Sequence, residues 1–383
     1  MNNKLHDYQR CSKCIMDTTD PTITFDENGI CNHCRTFEEV ISKRYFPNEE
    51  GRKKLDSLLN KIKYEGRKKE YDCIIGLSGG VDSCYLAMKV KEWNLSPLVV
   101  HIDTGWNSEL AVDNINKIID FCGYELYTHV IDWEEMKDLQ VAFLRSGVSN
   151  QDVPQDHAIF ATIYHFAVEN NIKYILTGGN ISTEGVFPAA WQGNAMDAIN
   201  LRAIHQEFGE KPLKSYKTIS LFEYYFWFPF VKKMRTVRPL NFMEYDKELA
   251  IREMEQKIGW RNYGRKHGES NFTKLFQNYY QPEKFGYDKR LPHYSSLIVT
   301  GKMSRDEAIE KLKEPLYDPK ELHNDIEYFC RKLGIRREEF DRFITDPAHH
   351  YTDFANSDSR IEAMKKVQRL IERLIGKKLT VYS

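Results

Sequence analysis

The stretch YDCIIGLSGGVDS, residues 71–83, decides the fold of this 383-residue chain. Its first six residues are mostly apolar and end in glycine, which predicts a short buried strand. Residues 84–93 carry apolar side chains at helical spacing, so we expect a helix after the turn. A strand, a glycine-rich turn and a helix therefore follow one another directly.

This layout is typical of a phosphate-binding site. Gly79 and Gly80 let the backbone come close to an anion, and the first N–H groups of a helix have no partner within the helix. Ser78 and Ser83 add hydroxyl donors, and Asp82 can hold a metal ion such as Mg²⁺ that neutralises phosphate charge. An ordinary Ser/Gly turn between strand and helix is the alternative interpretation.

The motif S-G-G-x-D-S contains no lysine and so differs from the P-loop pattern G-x-x-x-x-G-K-[ST]. It resembles the pyrophosphate loop (PP-loop) of the ATP pyrophosphatases, which cleave ATP between the α and β phosphates and adenylate a substrate. The resemblance implies that ATP and its pyrophosphate are bound by Ser78, Gly79, Gly80, Asp82 and Ser83.

Strands and helices alternate between residues 71 and 181. Apolar runs at 98–102, 125–131 and 173–177 predict three further strands with helices between them. The alternation predicts an α/β fold with a doubly wound parallel sheet. The resemblance of the loop implies that this sheet is of the PP-loop ATP pyrophosphatase (adenine nucleotide alpha hydrolase-like) type. Ligands of such sheets bind outside the carboxyl ends of the strands.

Polar groups follow two of these strands. Asp103 ends the second strand, where its carboxylate could accept a hydrogen bond from a ribose hydroxyl or an adenine amino group. Gly178, Gly179 and Asn180 follow the fourth strand, and Glu184 lies four residues further on. We expect them at the nucleotide, with Glu184 helping to bind Mg²⁺ or to orient ammonia. A turn aspartate, a plain loop and a surface carboxylate are the respective alternatives.

The N-terminal cysteines form two pairs. Cys11-x2-Cys14 and Cys31-x2-Cys34 are separated by sixteen residues, which fits the spacing of a four-thiolate zinc site. An iron–sulfur cluster or two redox pairs are the alternatives. We expect structural Zn²⁺ with no catalytic role, because four protein ligands leave no open coordination position.

Composition limits the class of protein. A formal net charge of −1 argues against a dedicated nucleic-acid binder, which usually carries a basic excess. No apolar run approaches the roughly 18 residues of a membrane span, and the first residues lack the apolar region of a secretory signal. We therefore expect a cytoplasmic protein with no nucleic-acid partner and no membrane contact, whose eight cysteines are reduced.

The later part of the chain contains two notable segments. The aromatic run at 216–230 suggests packing between domains or subunits. Beyond it, basic groups in loops near aromatic residues suit an anionic small molecule, although a solvated surface is the alternative. Our candidates here are Lys289, Arg290 and His293 for binding substrate, with His267 and Glu269 for proton transfer.

A wider resemblance rests on the cysteine pairs and on several motifs in a fixed order. With these features in that order, the chain resembles the N-acetyl sugar amidotransferases. These are the WbpG-like and PseA-like proteins of bacterial surface-polysaccharide (LPS O-antigen) and flagellin-glycan pathways. The motifs are SGGVDS (78–83), HIDTGWNSE (101–109), PQDHAIF (154–160), TGGNISTEG (177–185) and the block at 262–298.

This resemblance implies a reaction. The family converts the acetamido group of a sugar to an acetamidino group, so the substrate would be a nucleotide-linked diacetamido uronic acid or a nonulosonic acid. ATP would adenylate the amide oxygen, and ammonia would then displace AMP. The ammonia would come from separate glutaminase and synthase-like partners resembling the histidine-biosynthesis pair. Residues 186–383 have no glycine-rich nucleophile elbow around a cysteine, so we expect glutamine hydrolysis on another chain.

Two other classes compete with this interpretation. A tRNA-thiolating PP-loop enzyme would adenylate a base carbonyl, but it needs a catalytic thiol or an iron–sulfur cluster and a basic surface. A non-catalytic scaffold could keep the fold and bind only a partner. For the domain organisation we expect a zinc module at 1–40, a helical connector at 41–70, the PP-loop domain at 71–240 and a mainly helical substrate-binding domain at 241–383.

Overall fold

Five parallel strands form one sheet in the order β3-β2-β1-β4-β5. The computed structural model that shows this describes residues 8–264 and 268–375. The doubly wound α/β fold and the first four strands were predicted and are confirmed, whereas the last strand was not predicted. The strands are β1 Cys73–Gly76, β2 Pro97–Asp103, β3 Leu126–Val130, β4 Tyr174–Leu176 and β5 Arg235–Val237.

Helices occupy most of the remaining chain. Several begin at a side-chain cap: the hydroxyl of Ser108 accepts the N–H of Ala111, for example, at 3.2 Å. The α-helices of the described residues are α1 Asn32–Thr36, α2 Glu49–Gly66, α3 Val81–Glu92, α4 Glu109–Cys122, α5 Trp133–Ser146, α6 Val153–Glu169, α7 Ile181–Glu184, α8 Ala198–Phe208, α9 Lys247–Ile258, α10 Asn271–Leu275, α11 Gln281–Phe285, α12 Arg290–Val299, α13 Arg305–Lys311, α14 Pro319–Leu333, α15 Arg337–Thr345 and α16 Asp358–Ile375.

Seven shorter turns of helix connect these elements. Three have π-helical geometry, and the longest of them contains most of the predicted aromatic segment. None of the described helices has the length and hydropathy needed to cross a membrane. The turns are the π-helical Phe37–Ile41, Glu223–Val231 and Phe276–Tyr280 and the 3₁₀ Ser42–Arg44, Ala189–Trp191, Pro239–Phe242 and Tyr351–Asp353.

The sheet buries a core on each of its faces, because side chains alternate along a strand. In β1, Ile75 packs with α3, α4 and α9 on one face, and Ile74 packs with α5, α6 and α8 on the other. Helices therefore cover both faces, as in a doubly wound sheet. This arrangement leaves the carboxyl ends of the strands as the open edge where a ligand can bind.

Part of the aromatic segment packs against the sheet domain. Phe228 is buried, and its ring lies 5.0 Å from that of Tyr164 on α6. The rings of Phe222, Phe226 and Phe230 contact one another at successive turns, and about half of each side chain is exposed. Phe228 therefore packs within the sheet domain, and the predicted packing between domains or subunits stays a prediction for the outward-facing side of this segment.

A third core joins the C-terminal helices to the sheet domain. The buried ring of Trp106, in the loop after β2, lies 5.3 Å from Phe272 on α10 and 5.4 Å from Phe329 on α14. Because Trp106 follows the carboxyl end of β2, this packing brings α10 and the residues before it to the open edge of the sheet.

The N-terminal cysteine pairs pack against α12 and α13 rather than against the sheet. The N–H of Ile15 donates to the hydroxyl of Ser295 at 3.2 Å. The guanidinium of Arg305 donates to the carbonyls of Cys11 and Cys14, at 3.0 and 3.1 Å. The domain boundaries expected at residues 40, 70 and 240 stay predictions.

Candidate active site

A cavity of about 290 Å³ opens at the carboxyl ends of β1, β2 and β4. Most of the predicted phosphate-loop residues line it, together with the residues that follow β4 and one face of α6. The lining residues that the following paragraphs use are Ser78, Gly80, Asp82, Ser83, Ile159, Phe160, Ile163, Tyr164, Gly178, Gly179, Glu184, Lys247, Tyr263 and Glu269.

Two glycines are required by the path of the backbone here. Gly79 has a φ of +85°, and a Cβ at this position would lie 2.8 Å from the carbonyl oxygen of Ala111. A Cβ on Gly178 would lie 2.7 Å from the carbonyl carbon and oxygen of Asp82. The loop after β4 therefore packs directly against the first turn of α3, which only glycine permits.

The serine hydroxyls of the loop form a small network. Ser83 Oγ lies 3.0 Å from Ser78 Oγ and 3.1 Å from the carbonyl of Gly80. The N–H of Gly80 donates to Ser78 Oγ at 3.2 Å. These bonds hold the turn in shape at the N-terminus of α3, where backbone N–H groups favour an anion.

Asp82 is held by two donors from distant parts of the chain. Asn180 Nδ2 donates to Asp82 Oδ1 at 3.3 Å, and the hydroxyl of Tyr245 donates to the same oxygen. Burial, together with the negative charge of Asp82, raises the pKa of Tyr245 well above its usual value, so the phenol stays protonated. Both donors hold the Asp82 carboxylate in one orientation.

Tyr263 anchors the loop from the other side. Its hydroxyl donates to the carbonyl of Gly79 at 2.9 Å and accepts from Asn114 Nδ2 at 3.1 Å. Burial raises the pKa of Tyr263, which keeps this donor protonated as well. The tyrosine lines the cavity and links the segment before α10 to the phosphate loop.

The residues after β4 lie beside the phosphate loop, although the buried Asn180 does not line the cavity. Gly178 and Gly179 line the cavity, and Asn180 caps α7 by accepting the N–H of Thr183 at 3.1 Å. Glu184 also lines the cavity and is exposed to it. Glu269 lies beside the loop, since a Cβ on Gly80 would be 3.0 Å from Glu269 Oε1.

Asp103 lies at the carboxyl end of β2, and its carboxylate accepts hydrogen bonds from the turn that follows it. Its Oδ1 accepts the N–H of Gly105 at 2.8 Å and Nδ2 of Asn107 at 3.0 Å. Asn107 also bonds Nε2 of His101, whose Nδ1 lies 2.7 Å from the carbonyl of Leu77. The structure does not bring Asp103 into the lining of the cavity, and the predicted turn role describes its contacts.

A second cavity of about 300 Å³ adjoins the first. Lys289, Arg290 and His293 at the start of α12 all line it, as predicted for one common site. Lys247, the first residue of α9, lines both cavities. The two cavities are therefore adjacent, with Lys247 in the wall of each.

The three basic residues differ in their surroundings. Arg290 forms a bidentate ion pair with Asp288, with Nη2 to Oδ2 at 2.7 Å, and donates from Nη1 to the carbonyl of Glu314 at 2.7 Å. His293 Nδ1 lies 3.2 Å from the carbonyl of Thr183, which ties α12 to α7. The guanidinium of Arg290 therefore mainly stabilises the N-terminal end of α12.

Some site residues could not be placed or were missed. His267 lies outside the described residues. Tyr245, Tyr263 and Lys247 were not predicted as site residues, because they belong to segments read as a helix start or a polar loop. Only their spatial proximity to the phosphate loop identifies them.

The four predicted cysteines come together in one buried cluster. Their sulfur atoms all lie within 4.8 Å of one another, with Cys11–Cys34 at 3.9 Å and Cys14–Cys31 at 3.6 Å. Backbone N–H groups point at the sulfurs, such as that of Cys31 at 3.2 Å from Cys11 Sγ. This donor set could hold a metal ion.

The fold and the site define a class of protein. A doubly wound parallel sheet with an S-G-G-x-D-S loop after its central strand is the PP-loop ATP pyrophosphatase fold. Within that class, residues 269–368 match the family model described as "LPS biosynthesis protein WbpG-like, C-terminal domain". This match confirms the resemblance predicted from sequence, and it covers Glu269, Lys289, Arg290 and His293.

Comparisons with solved structures give weaker likenesses. NMN synthetase from Francisella tularensis is 20% identical, with a TM-score of 0.29 over 35% of this chain and 55% of that chain. The NH₃-dependent NAD synthetase from Campylobacter jejuni is 14% identical, with a TM-score of 0.28 over 41% and 72%. The U34-tRNA thiolase NcsA from Methanococcus maripaludis, with its [4Fe-4S] cluster, is 14% identical, with a TM-score of 0.33 over 80% and 89%. The comparison with curated proteins finds no match.

Proposed function

We propose that this protein is an ATP-dependent amidotransferase that converts the acetamido group of a sugar to an acetamidino group. One observation carries the proposal: the phosphate-loop cavity adjoins the cavity lined by the WbpG-like segment, and Lys247 lines both. An enzyme that transfers an adenylyl group from ATP to a second substrate needs such a pair of neighbouring sites.

The first step activates the amide. An amide carbon is a poor electrophile because the nitrogen lone pair is delocalised onto the carbonyl. Attack of the amide oxygen on the α phosphorus breaks the bond to the β phosphate, so that pyrophosphate leaves and an O-adenylated imidate forms. The N–H groups at the start of α3 and the hydroxyls of Ser78 and Ser83 bind the pyrophosphate and stabilise its developing charge.

Asp82 is the candidate ligand for Mg²⁺. Its carboxylate is a hard oxygen donor of the kind that such a cation prefers, and Tyr245 and Asn180 hold it in one orientation. Bound Mg²⁺ would neutralise phosphate charge. Gly178 and Gly179 have no side chains that would keep the phosphates from the turn that carries Asp82. Glu184 lines the same cavity, and we assign it to the sugar that accepts the adenylyl group.

The second step introduces nitrogen. Ammonia attacks the imidate carbon, AMP leaves with the electrons of the carbon–oxygen bond, and the amidine remains. Lys289 and His293 line the second cavity, and we assign them to the carboxylate or phosphates of a nucleotide-linked or nonulosonic sugar. Glu184 and Glu269 face the first cavity, where they can orient the incoming nitrogen. We assign the pathway to surface-polysaccharide or flagellin-glycan sugar biosynthesis on the resemblance alone.

The cysteine cluster fits structural Zn²⁺. A tetrahedral site with Zn–S bonds of about 2.3 Å separates its sulfurs by roughly 3.8 Å, close to the 3.6 and 3.9 Å found here. All four positions are protein ligands, the cluster packs on α12 and α13, and none of its cysteines lines either cavity. We propose that it stabilises the helices that carry the sugar-binding residues and takes no part in catalysis.

We also propose that a separate glutaminase supplies the ammonia. None of the residues lining the two cavities in the described part of the chain is a cysteine, so a thiol nucleophile for glutamine is not at hand there. The same observation is unfavourable to the alternative, a tRNA-thiolating enzyme with a catalytic thiol at the nucleotide. Turnover of the pure protein with glutamine in place of ammonium would contradict the proposal.

The test uses mass spectrometry. The protein is incubated with ATP, Mg²⁺, ammonium and a panel of nucleotide-activated and nonulosonic acetamido sugars, and the sugar products are weighed. We expect a product lighter by about one mass unit, because an NH group replaces the carbonyl oxygen, together with stoichiometric AMP and pyrophosphate. AMP formation that depends on tRNA but on none of the sugars would establish the alternative instead.

A further inference from the structure

Lys247 is the cation in the wall of the first cavity. Among the described residues that line this cavity, three side chains are acidic and one, that of Lys247, is basic. Arg238 lies nearby, since its Nε would be 3.7 Å from a Cβ on Gly179, but it is outside the lining of both cavities. A triphosphate is strongly anionic, so the position of this lysine matters for what the cavity can do. The acidic lining residues are Asp82, Glu184 and Glu269.

The start of α9 fixes where Lys247 lies. Lys247 is the first residue of this helix and follows Asp246, whose carboxylate caps the helix by accepting the N–H of Leu249 at 2.9 Å. Two positions before Lys247, the hydroxyl of Tyr245 donates to Asp82 in the first turn of α3. Bonds on both sides of Lys247 therefore hold its backbone close to the phosphate loop.

Lys247 also lines the second cavity, which we assign to the sugar. The other basic residues of that cavity belong to the segment that matches the WbpG-like family model, and they do not line the first cavity. In the proposed reaction, the AMP group leaves ATP in the first cavity and becomes attached to the acceptor in the second. A residue in the wall of both cavities is therefore next to the phosphorus at which this exchange takes place.

The ammonium group of Lys247 is available for a contact with a ligand. Within residues 8–264 and 268–375, no hydrogen bond or ion pair joins it to another side chain or to the backbone. Arg290, in the second cavity, is by contrast held by Asp288 at 2.7 Å. The side chain of Lys247 is partly buried, and a cation in such a setting attracts an anion more strongly than it would in bulk water.

We propose that Lys247 is a catalytic residue that contacts the α phosphate as it passes from ATP to the amide oxygen of the sugar. The inference rests on the proposed amidotransferase function and assigns a residue to its first step. The observation that carries it is the place of Lys247 in the wall of both cavities. Lys289 and Arg290 line the second cavity alone, so they suit the acceptor rather than the transferred group.

The electron balance of this step defines what the lysine does. The amide oxygen forms a bond to the α phosphorus, and the bond from that phosphorus to the oxygen of the β phosphate breaks. Pyrophosphate leaves with that electron pair. The sugar nitrogen keeps its hydrogen and shares its lone pair with the amide carbon, so the adenylated imidate carries a positive charge. No proton is transferred, and Lys247 therefore acts by its charge and its N–H donors rather than as an acid or a base.

A cation at the α phosphate accelerates this step for an electrostatic reason. Negative charge builds up on the non-bridging oxygens while the phosphorus is bonded to both the entering and the leaving oxygen. A fixed cation stabilises this state more than it stabilises bound ATP, and only such a difference raises the rate. Ser78 and Ser83 belong to the loop where we place the departing pyrophosphate, so their donors and Lys247 have separate tasks.

The experiment compares the full-length wild-type protein with Lys247→Met and Lys247→Arg. Exchange of labelled pyrophosphate into ATP, in the presence of the acetamido sugar that gives the amidine product, measures the first step alone. We expect the exchange rate to fall about 100-fold or more in Lys247→Met, as when a donor to a developing negative charge is removed. ATP affinity, measured by calorimetry, should change much less, because the phosphate loop is intact. Lys247→Arg keeps the charge and should have an intermediate rate.

A second measurement reports on the α phosphate itself. In the two diastereomers of ATP that carry sulfur at the α phosphorus, sulfur replaces one or the other non-bridging oxygen. The diastereomer whose sulfur faces Lys247 already lacks the oxygen that the lysine contacts, so Lys247→Met should slow its exchange less than that of the other. The ratio of the two exchange rates should therefore shift in the variant, whereas loss of a residue that only supports the fold would slow both equally.

Lys53→Met is the matched control. Lys53 is an exposed lysine on α2 that lines neither cavity, so this variant should exchange pyrophosphate at the wild-type rate. The Tm of each variant shows whether the fold is retained. Substitution of Lys247 leaves the cap formed by Asp246 in place, so α9 should still begin at the same residue.

The outcomes separate the two proposals. A Lys247→Met protein that keeps the wild-type exchange rate, or that slows both diastereomers equally, would overturn the role of Lys247 and leave the amidotransferase function standing. A loss of ATP affinity that accounts for the whole loss of exchange would assign Lys247 to nucleotide binding and overturn its catalytic role as well. A wild-type protein that forms no AMP with any acetamido sugar would overturn the proposed function and this inference with it.

Discussion

The hydroxyl of Tyr245 donates a hydrogen bond to Asp82, a residue that lies 163 positions earlier in the chain. The tyrosine precedes α9, whereas the aspartate belongs to the first turn of α3. This contact fixes the carboxylate that we assign to Mg²⁺, and it connects the phosphate loop to the segment that carries Lys247.

Removing the hydroxyl of Tyr245 should slow the formation of AMP from ATP. In Tyr245→Phe, Asp82 loses a donor to a charged acceptor, a bond worth about 1.5–3 kcal/mol. We expect AMP formation to fall by roughly tenfold to 100-fold and to require more Mg²⁺. Tyr85→Phe is the control, since its ring contacts Tyr245 at 5.5 Å but lies beside Lys89. Equal losses in both variants would show that packing, not the bond to Asp82, is responsible.

Alanine at Gly79 should be more damaging than alanine at Gly123, because only Gly79 lacks space for a Cβ atom. Both have positive φ, of +85° and +68°, so an alanine at either costs about 1–2 kcal/mol of backbone strain. Only at Gly79 would the new Cβ also meet the carbonyl of Ala111, at 2.8 Å, while Gly123 has open space. We expect Gly79→Ala to reduce ATP affinity at least about tenfold, as measured by calorimetry, and Gly123→Ala to change stability alone.

Loss of the metal should affect the acceptor side of the site first. Cys31→Ser removes one ligand of the cluster, which packs on α12 and α13. We expect loss of bound zinc, a fall in Tm of at least about 5 °C and a raised KM for the sugar. ATP affinity should change little, since the phosphate loop lies in another core. Cys330→Ser, at a buried cysteine outside the cluster, should retain its zinc; zinc content is read by atomic absorption.

Substitutions of Lys289 and Arg290 should have different effects, because we assign Lys289 to substrate binding and Arg290 to local structure. Arg290 is committed to Asp288 and to the carbonyl of Glu314, so Arg290→Gln should lower Tm and impair sugar use only as a consequence. Lys289→Gln should raise the KM for the sugar about tenfold or more with little change in the KM for ATP. Steady-state kinetics with each substrate varied in turn measures both. A larger kinetic effect at Arg290 than at Lys289 would reverse the assignment.

The sequence allowed the fold and the phosphate loop to be predicted because both depend on local pattern. Strand, Gly-Gly turn and helix are encoded within residues 71–93, and the cysteine spacing alone predicted the cluster. Strand β5 was missed because Arg235–Val237 is three residues long and isolated from the earlier alternation.

The parts of the site that depend on distant contacts could not be predicted. Nothing local to Tyr245 or Tyr263 indicates that their hydroxyls reach Asp82 and Gly79, because tertiary packing alone brings them there. Asp103 shows another limit of local pattern: its position after a strand suggested either a ligand contact or a turn role, and its donors Gly105 and Asn107 belong to its own turn. Its contact with a nucleotide stays a prediction. The predicted cluster of Lys289, Arg290 and His293 formed because consecutive residues at a helix start necessarily stay together.

The bond from Ile15 to Ser295 spans 280 positions of the chain. During synthesis the cysteine pairs leave the ribosome early, while α12 and α13 follow on the order of 15 to 60 s later at usual elongation rates. For that interval the surface that the cysteine pairs finally cover does not yet exist, so a metal ion bound by the four thiols would be the means of ordering them. If that ion is the Zn²⁺ that we propose, the zinc available during translation becomes a determinant of how much of this chain reaches its native state.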